Sequence, residues 1–126
     1  MIKILLFFLF ISCTFKAYAQ EGGKRTTLGI ENAKHELAAA LENTTEKKII
    51  VDKVIKDKKT AVSVSEAMLF NIYGKEKIVK QRPYEGFLIN GYWVLNGTLP
   101  QGWDGGTFLI IINSIDGKVI KLTHGK

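Results

Sequence analysis

The chain has 126 residues, of which 46% are hydrophobic and 24% charged, an ordinary globular composition with material for one domain rather than several. A single cysteine excludes an intrachain disulfide framework, and a formal net charge of +6 leaves an acidic partner or an anionic surface as the class of contact that charge alone would favour. The first element in chain order is a targeting segment. Met1-Ile2-Lys3 opens positive, Ile4 to Ser12 is apolar, and Ala17-Tyr18-Ala19 puts small residues at the two positions a signal peptidase reads. The apolar run is far shorter than the roughly 18 residues of a membrane span. The pattern predicts a secretory signal over 1–19, a new N-terminus at Gln20, a periplasmic location and no integral membrane segment after cleavage.

A second cleavage point lies inside the signal. Phe10-Ile11-Ser12-Cys13 loosely resembles a lipoprotein box, with Phe10 where leucine is usual. Cleavage there would leave a lipid anchor at Cys13 on the inner or outer membrane. Cleavage after Ala19 would instead remove the only cysteine, together with Lys3 and Lys16, and the remaining domain would fold on its core alone.

Residues 20–56 read as a leader followed by a helix. Glu21 to Thr26 is polar and glycine-bearing. Ile30, Ala33, Leu37 and Leu41 recur at steps of three and four around Ala38-Ala39-Ala40, which predicts a helix over 28–42 that ends at Asn43-Thr44-Thr45. Ile49 to Ile55 is apolar and β-branched but too short to assign between strand and helix end. Lys47, Lys48, Lys53, Lys56, Lys58 and Lys59 face only Asp52 and Asp57. Such a run is most simply a solvated face. No aromatic residue interleaves with it to stack on bases, so nucleic acid is not an expected partner.

A second helix is predicted from an Asp57 cap to Gly74, with Ala61, Val64, Met68 and Ile72 as its core stripe, widened by Leu69. A rival start is the capping box Ser63-Val64-Ser65-Glu66. From Ile78 the period becomes two. Tyr84–Ile89 and Tyr92–Leu99 flank Asn90-Gly91, a two-residue hairpin signal, while Thr107–Asn113 and Lys118–Thr123 flank Ser114-Ile115-Asp116-Gly117. Phe108 to Ile112 is apolar throughout, which predicts a central strand covered on both faces. Ile120 and Leu122 share one face of the last strand by alternation. The sum is an α+β roll, with helices followed by an antiparallel meander of about four strands.

Several pieces carry a family resemblance: Thr60-Ala61 opening a helix that ends Ile72-Tyr73-Gly74, then Gln81-Arg82-Pro83-Tyr84, Gly91-Tyr92-Trp93-Val94 and Asn96-Gly97-Thr98-Leu99-Pro100. Gly105-Gly106-Thr107-Phe108, Asp116-Gly117-Lys118-Val119 and His124-Gly125-Lys126 complete them. In order and spacing, residues 57–126 resemble the NTF2-fold immunity proteins of bacterial polymorphic toxin systems. The resemblance implies an NTF2-like, cystatin-like roll whose N-terminal helices pack on a curved antiparallel sheet. It also implies a cognate protein toxin as partner, inhibition by occlusion, no catalytic site and no cofactor. An exported immunity protein would meet a toxin acting on peptidoglycan or the membrane.

Five residues stand out as partner contacts. Trp103 is a large aromatic in the glycine-rich loop Pro100–Gly106, with Asp104 beside it. Tyr92 and Trp93 are adjacent on a strand and must point to opposite faces, so one of them is expected in the core. Arg82 would bind a partner carboxylate or pair with Glu66 or Glu85. Glu66 reads simply as solvated, and His124, two residues from the last one, as too frayed for a role. Two other readings remain: an exported binding module for a peptide or cell-envelope ligand, and an isomerase or dehydratase on the same fold class. Chemistry would need an oriented acid–base pair. Glu66, Glu76, Glu85, Asp104, Asp116 and His124 show no such spacing, and two distant histidines do not make a metal site.

Overall fold

A computed structural model of the protein describes residues 25–42 and 48–126. The signal over 1–19, both cleavage points, Cys13, Lys47 and Asn43-Thr44-Thr45 lie outside them. The chain divides into two units, residues 1–44 and 45–126. In the first, α1 (Gly29–Glu42) forms within a residue of the predicted span, buries none of its residues and carries one Glu31–Lys34 ion pair at 2.9 Å. Among the described residues no helix is long and apolar enough to cross a membrane.

In the second unit α2 (Lys58–Tyr73) starts at the Asp57 cap, whose carboxylate accepts the Thr60 N–H at 2.7 Å, and ends at Gly74. The rival start at Ser63 is not used, and the Ser63 hydroxyl donates back to Lys59 O at 3.0 Å. The buried stripe is Ala61, Ser65 and Leu69, with Val62, Met68, Phe70 and Tyr73 packed around it. This corrects the predicted stripe, because Val64 and Ile72 are exposed. Hydrophobicity pointed to the wrong side because the residue at the centre of the true stripe is a serine. A five-residue helix, α3 (Lys75–Val79), follows Gly74 and buries Ile78, where strand periodicity was expected to begin.

The sheet is β1 (Glu85–Ile89), β2 (Tyr92–Asn96), β3 (Phe108–Asn113) and β4 (Val119–His124), antiparallel in the order β1-β2-β3-β4. This open meander with helices is the predicted α+β arrangement. The β1–β2 turn has Asn90 at φ 48° and Gly91 at φ 84°, the left-handed pair of a type I′ hairpin. β2 stops at Asn96 rather than Leu99, because Thr98 turns away to donate its N–H to Gln81 O at 2.9 Å.

Alternation then sorts the side chains. Trp93, Leu95, Phe108, Ile110 and Ile112 are buried against α2, α3 and Ile55. Leu109 and Ile111 are only half-buried on the other face, so β3 is central in the sheet yet covered on one side, contrary to expectation. A bulge in β4 makes a further correction. Ile111 pairs with Lys121 but Ile112 pairs with Val119, so Ile120 is the extra residue. Val119 and Leu122 pack on the core, and Ile120 is exposed rather than sharing the face of Leu122. The segment before α2 is neither strand nor helix. Val54 and Ile55 donate N–H groups to Ile115 O and Ser114 O at 3.1 and 3.0 Å, and Ile55 O accepts Trp93 Nε1–H at 3.1 Å. Lys53, Lys56, Lys58 and Lys59 are exposed, as a solvated run would be.

The Ser65 hydroxyl is buried without a hydrogen-bond partner, an arrangement that costs about 1–3 kcal/mol. Ser65→Ala should therefore stabilise the fold by roughly 1 kcal/mol in urea unfolding, whereas Leu69→Ala, four residues on, should cost about 2–5 kcal/mol. The Asp57 carboxyl is held below its ordinary value of 3.8, chiefly by the Thr60 backbone N–H. The unfolded chain thus takes up this proton first, and the cap's contribution is complete above 3.8 and lost as pH falls through the lower folded value. Asp57→Ala should lower Tm at pH 7, and its gap to the parent protein should narrow in melts below pH 3.8.

Candidate functional site

The end of the sheet opposite the hairpin turn of β1 and β2 carries a groove of about 800 Å³, bounded by the end of α2, by α3, by the loop after Leu99 and by the end of β4. Its floor is built by Gln81, which is buried at the end of the α3 turn. Gln81 Oε1 accepts the Phe108 N–H at 2.8 Å, so the amide nitrogen must point the other way. That nitrogen donates to Lys77 O at 3.1 Å and lies 2.9 Å from His124 Nε2. His124 Nε2 must accept there, which leaves Nδ1–H to donate to Gly125 O at 2.6 Å. The network selects the Nδ1-protonated neutral imidazole and occupies both ring nitrogens. Close approach makes this arrangement possible: a Cβ on Gly97 would collide with Gln81 Oε1.

The wall is aromatic and basic. Tyr73 packs against the His124 ring at 5.0 Å between centroids, and Lys77 Nζ lies 5.9 Å from the Tyr73 centroid. Lys80 and Lys126 add positive charge, and Glu76 and Asp104 oppose it. The rim comes from a tight turn in which the Trp103 N–H donates to Pro100 O at 3.1 Å, with Gly102 at φ 84° in the third position, where a type II turn needs a left-handed residue. The turn lifts Trp103 out of the fold, and its side chain is 69% exposed.

Of the five residues singled out from sequence, the structure brings Trp103 and Asp104 together at this groove. Trp93 is in the core. Tyr92 lies on the other sheet face, in the row Ile89–Tyr92–Asn113. Arg82 lines a separate shallow pocket with Glu66 and Tyr84. There the Arg82 guanidinium makes two 2.7 Å bonds to the Glu66 carboxylate and a third of 3.1 Å, which holds its pKa above the ordinary value. Of the two acids named as possible partners for Arg82, Glu66 is the one it pairs with, so Glu66 is not simply solvated: its side chain is 15% exposed. Burial pushes the neighbouring Tyr84 phenol up. Gln81, Tyr73 and His124 were missed. Fraying was the argument against His124, but the Gly125 N–H is tied to Thr107 O at 3.0 Å. Gln81 was visible only as part of Gln81-Arg82-Pro83-Tyr84.

Comparison with known proteins bears on what this site serves. The family of NTF2 fold immunity proteins matches residues 60–126, from the first turn of α2 through β4. The chain belongs to that family. Every groove residue falls inside the matched region. The chain is also 33% identical over 82 residues to YhhH of Escherichia coli strain K12, described as an uncharacterized protein, and the similar stretch covers 64% of this chain and 65% of that relative. No solved structure matches.

Replacing Gln81 tests whether the immunity fold's groove rests on it. Gln81→Ala leaves the Phe108 N–H without an acceptor, at a cost of about 1–3 kcal/mol in unfolding experiments. Amide exchange at Phe108 should quicken in the same variant.

Proposed function

We propose that the protein is exported to the periplasm and there neutralises a cognate bacterial toxin by binding over its working surface, with the Trp103 groove as the contact. The observation that carries this reading is an exposed tryptophan fixed on a tight turn beside a preorganised groove. A rigid aromatic anchor next to satisfied polar groups is the usual make-up of a binding hot spot. Trp103 costs no folding energy to present, because the turn holds its backbone and the side chain packs little. Lys77, Lys80 and Lys126 would steer a partner that shows carboxylates around an apolar patch.

A binding role fits the groove better than acid–base chemistry. His124 has both nitrogens engaged within the fold, by Gln81 and by Gly125 O, and so offers no free lone pair to a substrate. Export is supported by the positive start, apolar run and Ala17-Tyr18-Ala19 of residues 1–19. A toxin met after export would be one that attacks peptidoglycan or the membrane.

The test is a pull-down from producing cells with the protein as bait, washed at high salt to screen loose capture by lysines. One stoichiometric secreted protein should be recovered whose toxicity the bait suppresses. Trp103→Ala should weaken that complex at least tenfold, about 1.4 kcal/mol, with Tm unchanged. Undiminished capture by the variant would move the contact elsewhere. Recovery of nothing from cells shown to make their toxins would end the tight-inhibitor reading.

A further inference from the structure

The two edges of the sheet are built differently. The β4 edge is guarded: it carries the Ile120 bulge, and Lys118 and Lys121 flank that bulge. Bulges and lysines are the standard means of keeping an edge from pairing. β1 itself has neither, and Lys58 from α2 lies over the face of Gly86 where a Cβ would stand. The register of β1 with β2 runs without a break from Glu85↔Asn96 to Ile89↔Tyr92, and after Glu85 its sequence is Gly86-Phe87-Leu88-Ile89. Phe87, Leu88 and Ile89 are 55%, 44% and 53% exposed, so large apolar groups stand uncovered on both faces of a regular edge strand.

The backbone of this edge is also unpaired in a defined pattern. A two-residue hairpin makes its flanking residues, Ile89 and Tyr92, a hydrogen-bonded pair, and the pattern then alternates. Ile89, Phe87 and Glu85 therefore bond to β2, while Leu88 and Gly86 turn their N–H and C=O groups outward. Among the described residues no hydrogen bond is made to those outward groups.

We propose that β1 pairs antiparallel with β1 of a second copy of this chain, which joins two four-stranded sheets across a two-fold axis through Phe87. The outward groups dictate this register. Gly86 opposes Leu88 of the second copy and exchanges both hydrogen bonds with it, and Leu88 does the same with that copy's Gly86. Phe87 then faces its own counterpart at a non-hydrogen-bonded position, where side chains approach most closely. Glu85, the only charge in β1, falls opposite Ile89 rather than opposite another Glu85, so the pairing sets no like charges against each other. A strand edge that matches itself under a two-fold rotation is what a closed dimer needs. The pairing also continues the apolar row Phe87–Val94–Ile111 from one sheet into the next. No residue of β1 lines the Trp103 groove, so both grooves stay open in the dimer.

The experiment is sedimentation of the full chain over a concentration series. The weight-average mass should rise from monomer towards dimer between about 1 and 200 µM, the range suited to a small interface. Phe87→Lys places two like charges at the axis and should hold the protein monomeric throughout, with Tm unchanged because the side chain is exposed. Phe87→Cys should form a disulfide-linked dimer on mild oxidation, and Ile89→Cys, which faces Glu85 rather than itself, should link no more than the parent protein. A parent that stays monomeric over the whole range overturns the proposal and leaves the edge to a strand from another protein. A dimer that survives Phe87→Lys, or equal linking by the two cysteine variants, overturns it as well.

Discussion

Much of the second unit depends on where the side-chain amide of Gln81 can go. It ends the α3 turn, takes the first N–H of β3, gives one proton to Lys77 O and the other to His124 at the end of β4. Its own carbonyl accepts from Thr98, just past β2. One buried residue thus joins a helix to three strands and has every polar atom satisfied. A buried amide with even one bond missing would be costly, so the bonds stand or fall together. This is why Gly97 must be glycine, why β2 ends early and why His124 holds a single tautomer.

The opposite end of the sheet is closed by a similar device with different parts. Ser114 is buried, and both its N–H and its hydroxyl donate to Gly91 O, at 2.9 and 2.6 Å, which ties one hairpin turn to the other. Ser114 O then receives the Ile55 N–H, and the Trp93 indole secures Ile55 O. Between these two polar ends the apolar core needs only shape. Leu69, Leu95, Phe108, Ile110 and Ile112 are fully buried, each contributing about 1.5–3 kcal/mol of transfer free energy.

This division of labour separates what the fold must hold still from what it can vary. The groove is framed by satisfied hydrogen bonds, while Trp103 stands on a short turn outside the core. Substitutions at that exposed rim are expected to have little effect on stability. The unguarded β1 edge lies away from that rim and carries a separate capacity for association.

The chain itself determined the elements. The Asp57 cap, the Gly74 stop, Asn90-Gly91 and the apolar run of β3 are local signals, and the elements they mark appeared within about a residue or two of where those signals put them, β2's early end and the unforeseen α3 aside. Trp103 and Asp104, singled out in their glycine-rich loop, both line the groove. Facing was decided only in three dimensions. The α2 stripe turned towards Ser65, the β4 bulge expelled Ile120, and the far face of β3 was left half-covered, since each depends on which neighbour arrives rather than on the residue's own polarity. Gln81 is the sharpest case. A polar side chain reads as solvated until the partners that satisfy it are brought from distant parts of the chain, and only the tertiary structure brings them.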